Sequence, residues 1–378
     1  MTTVDRLLRD LVAIDSVNPT LVPGAAGEAA IATRLVREFE AIGLQVEVQE
    51  VVPGRPNVVA TLEGRAPGRS LMLCGHIDTV GVTGMTAPFT PVEQGGRLHG
   101  RGAQDMKSGV AAMIDAVRVV AASGGLATGR VVVACVVDEE HSSIGADALV
   151  TRWRADAAVV TEPTDLDIAV AHKGFEWAQV DTVGRAAHGS RPADGVDAIL
   201  HMGRVLHALQ ELGTRLQAGT LHPRLGAASL HASLIEGGRE LSSYPDRCML
   251  QLERRTLPGE SPGVLAAELD AILVRLAAAD PAFQARATAL FGRPPYEVDD
   301  AHPLPVALAA TARAAGCRAA TIGMSFWTDA AVLGAAGIPS VLFGPTGAGL
   351  HGVDEWVELA SVRQCRDALA GLIRDWCR

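Results

Sequence analysis

Apolar residues recur along this chain in two distinct periods, and the switches between them mark out most of its elements. Residues 3–14 place Val4, Leu7, Leu8, Leu11 and Ile14 on one helical face. Residues 26–42 do the same with Ala29, Ile31, Leu35, Phe39 and Ile42, and Gly43 ends the pattern. Period-two alternation follows in LQVEVQEVV (44–52) and NVVATLE (57–63), which reads as strands. Continuous apolar runs at 71–74 (LMLC) and 131–137 (VVVACVV) predict strands covered on both faces. Between them, MKSGVAAMIDAVRVVAA (106–122) repeats apolar residues every three or four positions, as a helix does. Strand, crossover helix, strand is the order of an open α/β sheet, in which ligands bind beyond the carboxyl ends of the strands.

From about residue 168 the texture changes. IAVAHKGFEWAQVDTV (168–183) alternates, GRAAHGSRPADG (184–195) reads as a loop, and residues 196–216 as a helix. ASLHASLIEGG and CMLQLERRTL read as strands, followed by a helix near 262–278 and a further strand, FQARATAL. This block predicts a separate α+β domain over 168–289, inserted into a discontinuous catalytic domain made of 1–167 and 290–378.

Composition narrows the class. A length of 378 residues suits two or three domains, and 48% hydrophobic with 4% aromatic content predicts a core of Ala, Val, Leu and Ile. A net charge of -10 argues against a nucleic-acid partner, since no basic stripe could offset it. Nowhere do 18 apolar residues run together, so no membrane span is expected, and the charged start MTTVDRLLRDLVAID does not read as a signal peptide. Six cysteines lack C-x-x-C spacing and several sit in apolar runs, as do reduced thiols of a cytoplasmic protein. Only two of the 33 basic residues are lysines, Lys107 and Lys173, and both fall in motif-like stretches.

Five separated stretches carry the chemistry: GHIDT (His76, Asp78), GAQDMK (Asp105), DEEH (Glu139, Glu140), TEPT (Glu162) and GLHG (His351). Together they offer two imidazoles and three carboxylates as ligands, with two carboxylates left over, one of them as a base, the inventory of a two-metal hydrolase. His76 and Asp78 follow the first buried run, Glu139 and Glu140 the second, Glu162 the run AAVV, and His351 the run PSVLFG with GPTGAG. Four strand ends are thus expected to deliver their groups to one edge. GPTGAG has Leu350 and His351 where a phosphate loop needs Lys and Ser/Thr, GRGAQD has aspartate where a dinucleotide loop needs glycine, and no G-x-S-x-G occurs.

LMLCGHIDTV, GRGAQDMKSGVAAM, VDEEHSSIGA, TEPT, KGFEW with GRAAHGSRPADGVDAI, LERRTLPGE, and SFWTDAAVL with GAGLHGVDEWV span nearly the whole chain. In this wording and order the chain resembles the dinuclear zinc hydrolases that include acetylornithine deacetylase, succinyl-diaminopimelate desuccinylase, aminoacylase and the glutamate-releasing carboxypeptidases. The resemblance implies a mixed sheet sandwiched by helices, with an inserted ferredoxin-like lid that forms a homodimer. It implies two zinc ions, or cobalt or manganese, with Asp105 as the bridge. His76 and Glu162 complete one site, and Glu140 and His351 the other. A hydroxide bridging the ions would attack, with Glu139 as general base.

Three further residues each have two readings. Asp78 either accepts the second N–H of the His76 ring and fixes its tautomer, or is a turn aspartate satisfying backbone amides. His188 corresponds to a histidine that in relatives reaches across the dimer to stabilise the oxyanion; the alternative is a surface-loop histidine. Arg255 corresponds to an arginine that holds a substrate carboxylate by two parallel contacts; the alternative is a strand arginine paired with a neighbouring glutamate. Ser242 stands where many relatives carry a substrate-holding asparagine, and Glu253 where an aspartate is common. The expected reaction is hydrolysis of an amide bond in a small N-acyl amino acid or dipeptide-like substrate bearing a free carboxylate. A deacylase resembling acetylornithine deacetylase is preferred over a dipeptidase or carboxypeptidase that releases a C-terminal residue. A metal-binding protein with a degenerate site is disfavoured, because mere binding has no use for Glu139.

Overall fold

The structure, a computed structural model, describes residues 2–378. The chain divides into two compact units, one made of the chain up to Val170 with Val298–Gly323 and Thr328–Arg378, the other of Ala171–Glu297 with Met324–Trp327.

In the first unit, helix Thr3–Val12 starts from a capping box in which Thr2 and Asp5 satisfy each other's backbone N–H. Helix Ala29–Ile42 stops at Gly43, whose φ of 86° suits a residue without a side chain. A mixed sheet follows the order Gln45–Val52, Arg55–Glu63, Arg130–Val136, Ser70–His76, Ala157–Val160, Ser340–Leu342, Ile168–His172. Its centre is parallel and its outer pairings are antiparallel. Strand Ser70–His76 is buried along its whole length, as the apolar run predicts. Each fully buried valine or leucine of this kind contributes about 1.5–3 kcal/mol.

Register decides what these strands present. His76 pairs with Val136, Cys74 with Val160, and Leu342 with Val160, so the parallel strands finish at the same level. Residues just past those ends therefore emerge side by side. Helix Lys107–Ala122 packs against Ser70–His76 and against the last helix, Leu359–Trp376. Gly109 permits its close approach, because a Cβ there would collide with the Thr161 carbonyl oxygen, next door to Glu162.

A small four-stranded sheet, in the order Gly347–Ala348, Trp356–Glu358, Arg97–His99, Val92–Gln94, has no counterpart in the sequence reading. It changes how His351 is delivered. Three parallel strand ends supply His76, the Glu139–Glu140 pair and Glu162, whereas His351 sits in the turn between Gly347–Ala348 and Trp356–Glu358.

The second unit runs strand, helix, strand, strand, helix, strand: Gly174–Val183, Ala198–Ala218, Ser229–Gly237, Arg247–Thr256, Val264–Ala279, Gln284–Arg293. All pairings are antiparallel, and the sheet order is the split βαβ order of ferredoxin-like folds. Met202, Val205, Leu209 and Leu212 of the first helix meet Leu265, Leu269 and Ile272 of the second over Val180, Leu250 and Leu252 of the sheet. Because Gln284–Arg293 pairs along Gly174–Val183, this unit extends past residue 289 to Glu297. All six cysteines are buried and unpaired, and among the described residues no helix is long and apolar enough to cross a membrane.

Candidate metal centre

His76 ends its strand with the ring fully enclosed. Its Nδ1 lies 3.0 Å from the Asp78 main-chain oxygen, which leaves Nε2 turned towards carboxylates. That nitrogen is 3.1 Å from Asp105 Oδ1, 3.8 Å from Glu162 Oε1 and 3.9 Å from Glu139 Oε2. On the other side of Asp105, His351 Nε2 lies 3.4 Å from Oδ2 and 3.0 Å from Glu140 Oε2. Asp105 thus offers one oxygen to each imidazole. Donor atoms of His76, Glu139 and Glu162 fall within 4.8 Å of one another, and so do those of His76, Asp105 and Glu140. By distance, Glu139 also qualifies as a third donor beside His76 and Glu162.

So many acidic groups in little solvent distort one another's titration. Burial, with neighbouring carboxylates adding to it, pushes Glu139 well above the ordinary carboxylate range. Burial likewise raises Glu162 well above it, although His76 opposes. Glu140 is raised by burial first and by Asp105 second. Asp105 moves the other way, because hydrogen bonds from the His351 and His76 rings outweigh the burial that opposes them. Contacts to Asp105 and Glu140 lift His351 to about 10. His76 is also raised, its acidic neighbours overcoming the burial that works against it. Without cations this cluster therefore stores protons, as expected of a site built to exchange them for positive charge.

Comparison with known proteins places the chain. Residues 72–375 match the family described as Peptidase family M20/M25/M40. An acetylornithine deacetylase of Proteus mirabilis is 30% identical over 385 residues, covering 99% of this chain and 97% of the relative. The chain belongs to peptidase family M20/M25/M40. As a member it is a hydrolase of amide or peptide bonds. A Bacillus subtilis N-formyl-4-amino-5-aminomethyl-2-methylpyrimidine deformylase is 28% identical over 390 residues, covering 95% of this chain and 92% of that one. The fold is shared with a tripeptidase from Staphylococcus aureus (TM-score 0.83, 23% identity, covering 99% of this chain and 98% of that one). It is shared too with a metallo-carboxypeptidase from Sulfolobus solfataricus (TM-score 0.80, 16% identity, 99% of each chain).

In this M20-family chain Asp78 divides its work between two groups. Its main-chain oxygen takes the His76 N–H, while its carboxylate accepts the backbone N–H groups of Glu139 and Glu140, each at 3.2 Å. The carboxylate itself stands 3.5 Å from His76 Nδ1. The Asp78 main-chain oxygen is thus the nearer acceptor for the His76 ring, and its carboxylate, beside the same nitrogen, also aims the two glutamates. His188 and Arg255 lie in the second unit. His188 is exposed, and its Nδ1 lies 2.8 Å from Ser190 Oγ and 3.2 Å from the Ser190 backbone nitrogen, which leaves Nε2 free to face outward. Arg255 donates Nε to Glu253 at 2.6 Å, the neighbouring-glutamate contact weighed from the sequence; its terminal nitrogens make no hydrogen bond among the described residues.

Sequence reasoning missed the groups beneath the site. The Asn18 amide donates to Asp78 at 2.8 Å and Asp138 at 3.0 Å, and Arg55 joins Asp138 at 2.8 Å and grips Glu28 by two nitrogens. Asp138, at φ 69°, accepts the N–H groups of Ser142 and Ser143 and so shapes the turn carrying Glu139 and Glu140. It directly precedes Glu139, and that adjacency was the one available signal. Lys107, wholly buried, donates to the Ile14 carbonyl at 2.8 Å, and burial lowers its pKa to about 7. A single carbonyl acceptor suits an ammonium better than a five-donor guanidinium.

Proposed function

We propose that the chain is a two-metal deacylase that cleaves the amide bond of small N-acyl amino acids. The observation carrying this reading is the position of Asp105, whose two oxygens lie 3.1 Å from His76 Nε2 and 3.4 Å from His351 Nε2. The donor set fits hard or borderline divalent ions such as zinc, cobalt or manganese. Glu140 Oε1 supports the fit: it is buried without a hydrogen-bond partner among the described residues. His76 with Glu162 would hold one ion and Glu140 with His351 the other, Asp105 being shared. Bound there, two ions supply Lewis acidity and lower the pKa of a shared water from about 15.7 towards about 7.

The chain's own groups do the rest. Glu139, on the His76 side of the cluster, takes up the nucleophile's proton at its carboxylate and returns it to the leaving amine, a role worth about 10² to 10⁴ in rate. Asp78 and Asn18 keep the turn bearing it in place. Arg255, with both terminal nitrogens available, holds a substrate carboxylate. In a homodimer built on the ferredoxin-like unit, His188 donates from Nε2 to the oxyanion in the partner's site.

Deacylation is favoured over peptide cleavage because two relatives that align along nearly the whole chain are named for removing an acetyl or a formyl group. The test is a hydrolysis screen of N-acetyl, N-formyl and N-succinyl amino acids, a formylated aminomethylpyrimidine and dipeptides, run with each of the three metals. N-acyl amino acids are expected to turn over at least about tenfold faster than dipeptides, a transition-state preference of about 1.4 kcal/mol. Exclusive cleavage of dipeptides would replace this reading with the dipeptidase one. A formylated pyrimidine as best substrate would remove the need for a substrate carboxylate and with it the role of Arg255.

A further inference from the structure

Glu355 lies four residues beyond His351 and is 1% exposed, an uncommon setting for a carboxylate. Each of its oxygens accepts twice. Oε1 takes the backbone N–H groups of Gln104 (2.8 Å) and Asp105 (3.1 Å), and Oε2 takes that of Gly102 (3.0 Å) and Arg101 Nη1 (2.7 Å). Four donors saturate a carboxylate. Arg101, also buried, carries the connection further through Nη2, which donates to the carbonyls of Gly81 (3.0 Å) and Gly352 (3.1 Å). Gly352 directly follows His351. One buried ion pair therefore holds the loop that carries Asp105 and the turn that carries His351.

We infer that Glu355, with Arg101, is a positioning residue that sets Asp105 against His351 and so fixes the affinity of the more exposed of the two proposed ion positions. The inference rests on the two-metal reading above. Geometry favours this over a purely structural ion pair, because three of the four donors are backbone amides of the Asp105 loop itself. His76 itself reaches the cluster independently, from the end of a buried strand and through Asp78, so on its side only the shared Asp105 contact depends on Glu355, whereas on the other side the Gly352 end of the His351 turn does too. A glutamine at 355 would turn an amide donor towards N–H groups that need an acceptor, and the loop would shift.

The test is calorimetric titration of metal-free protein with zinc and with cobalt, together with melting of the metal-free forms. Wild type is expected to take two ions. Glu355→Gln should still take one ion with the smaller loss of affinity while the other weakens about 10- to 100-fold, the usual effect of losing a group that orients a ligand. Asp115→Asn removes the charge that pairs with Arg366 (3.1 Å) and Arg118 (3.1 Å) elsewhere in the unit and should lower the melting temperature with both affinities unchanged. Arg101→Lys keeps the charge but loses the fork to Gly81 and Gly352; it should weaken the same ion by less, and it carries the test if Glu355→Gln does not fold. Two ions bound at wild-type affinity by Glu355→Gln, or by Arg101→Lys in its place, would overturn the inference. Fewer than two ions in wild type would instead overturn the two-metal reading.

Discussion

His76 and His351 flank the same aspartate in opposite settings. The His76 side chain is 1% exposed, ends a strand buried on both faces, and has the Asp78 carbonyl as the nearer acceptor for its ring. The His351 side chain is 56% exposed and sits at φ 58° in a turn of a sheet of two- and three-residue strands. Core packing positions the first ligand before any ion arrives; the second depends on loop contacts. One side of the site is thus closed and the other open to solvent.

The largest expected effect falls on the closed side. Glu139→Gln should reduce kcat by about 10² to 10⁴ while both ions stay bound, measured by turnover and metal content together. Loss of an ion from that variant would make Glu139 a ligand of the His76–Glu162 set and leave the base unassigned. Next comes a direct contrast between the imidazoles. His76→Ala and His351→Ala should each lose an ion and most activity, but added imidazole should restore only His351→Ala, whose site is open to solvent. Equal rescue of both would erase the distinction between the two sides.

A smaller effect concerns pH. His76, His351, Glu139 and Glu162 all have raised pKa values in the metal-free cluster, so they hold protons that ions must displace. Metal affinity should therefore rise with pH by about tenfold per unit for each proton released. Calorimetry in buffers of different ionisation enthalpy counts those protons, and a flat affinity from pH 6 to 8 would contradict the assignment. Arg255→Lys should change least: both ions bound normally, with KM raised about tenfold through loss of the two-pronged contact.

The same divide runs through what the sequence disclosed. Strands such as Ser70–His76 announce themselves by long apolar runs, and the residues just past their ends could be named directly. The α+β make-up of the second unit was likewise readable from alternation, while its ferredoxin-like order was implied only by the family resemblance. The small sheet around His351 was invisible because strands of two or three residues carry no period. Glu355 and Arg101 were missed for another reason: their partners are backbone amides and carbonyls, many of them about 250 residues away, and side-chain identity does not encode such contacts. Asp78 shows a third limit: both readings of its carboxylate were legible, but not that its main-chain oxygen would lie nearer the His76 ring, at 3.0 Å against 3.5 Å.

The most direct measurement is an anomalous-difference map at the zinc edge from crystals grown with zinc. Two peaks about 3.5–4 Å apart are expected, one on each side of the Asp105 carboxylate, with His76 and His351 each touching one of them. A single peak, or a pair that Asp105 does not join, would contradict the account.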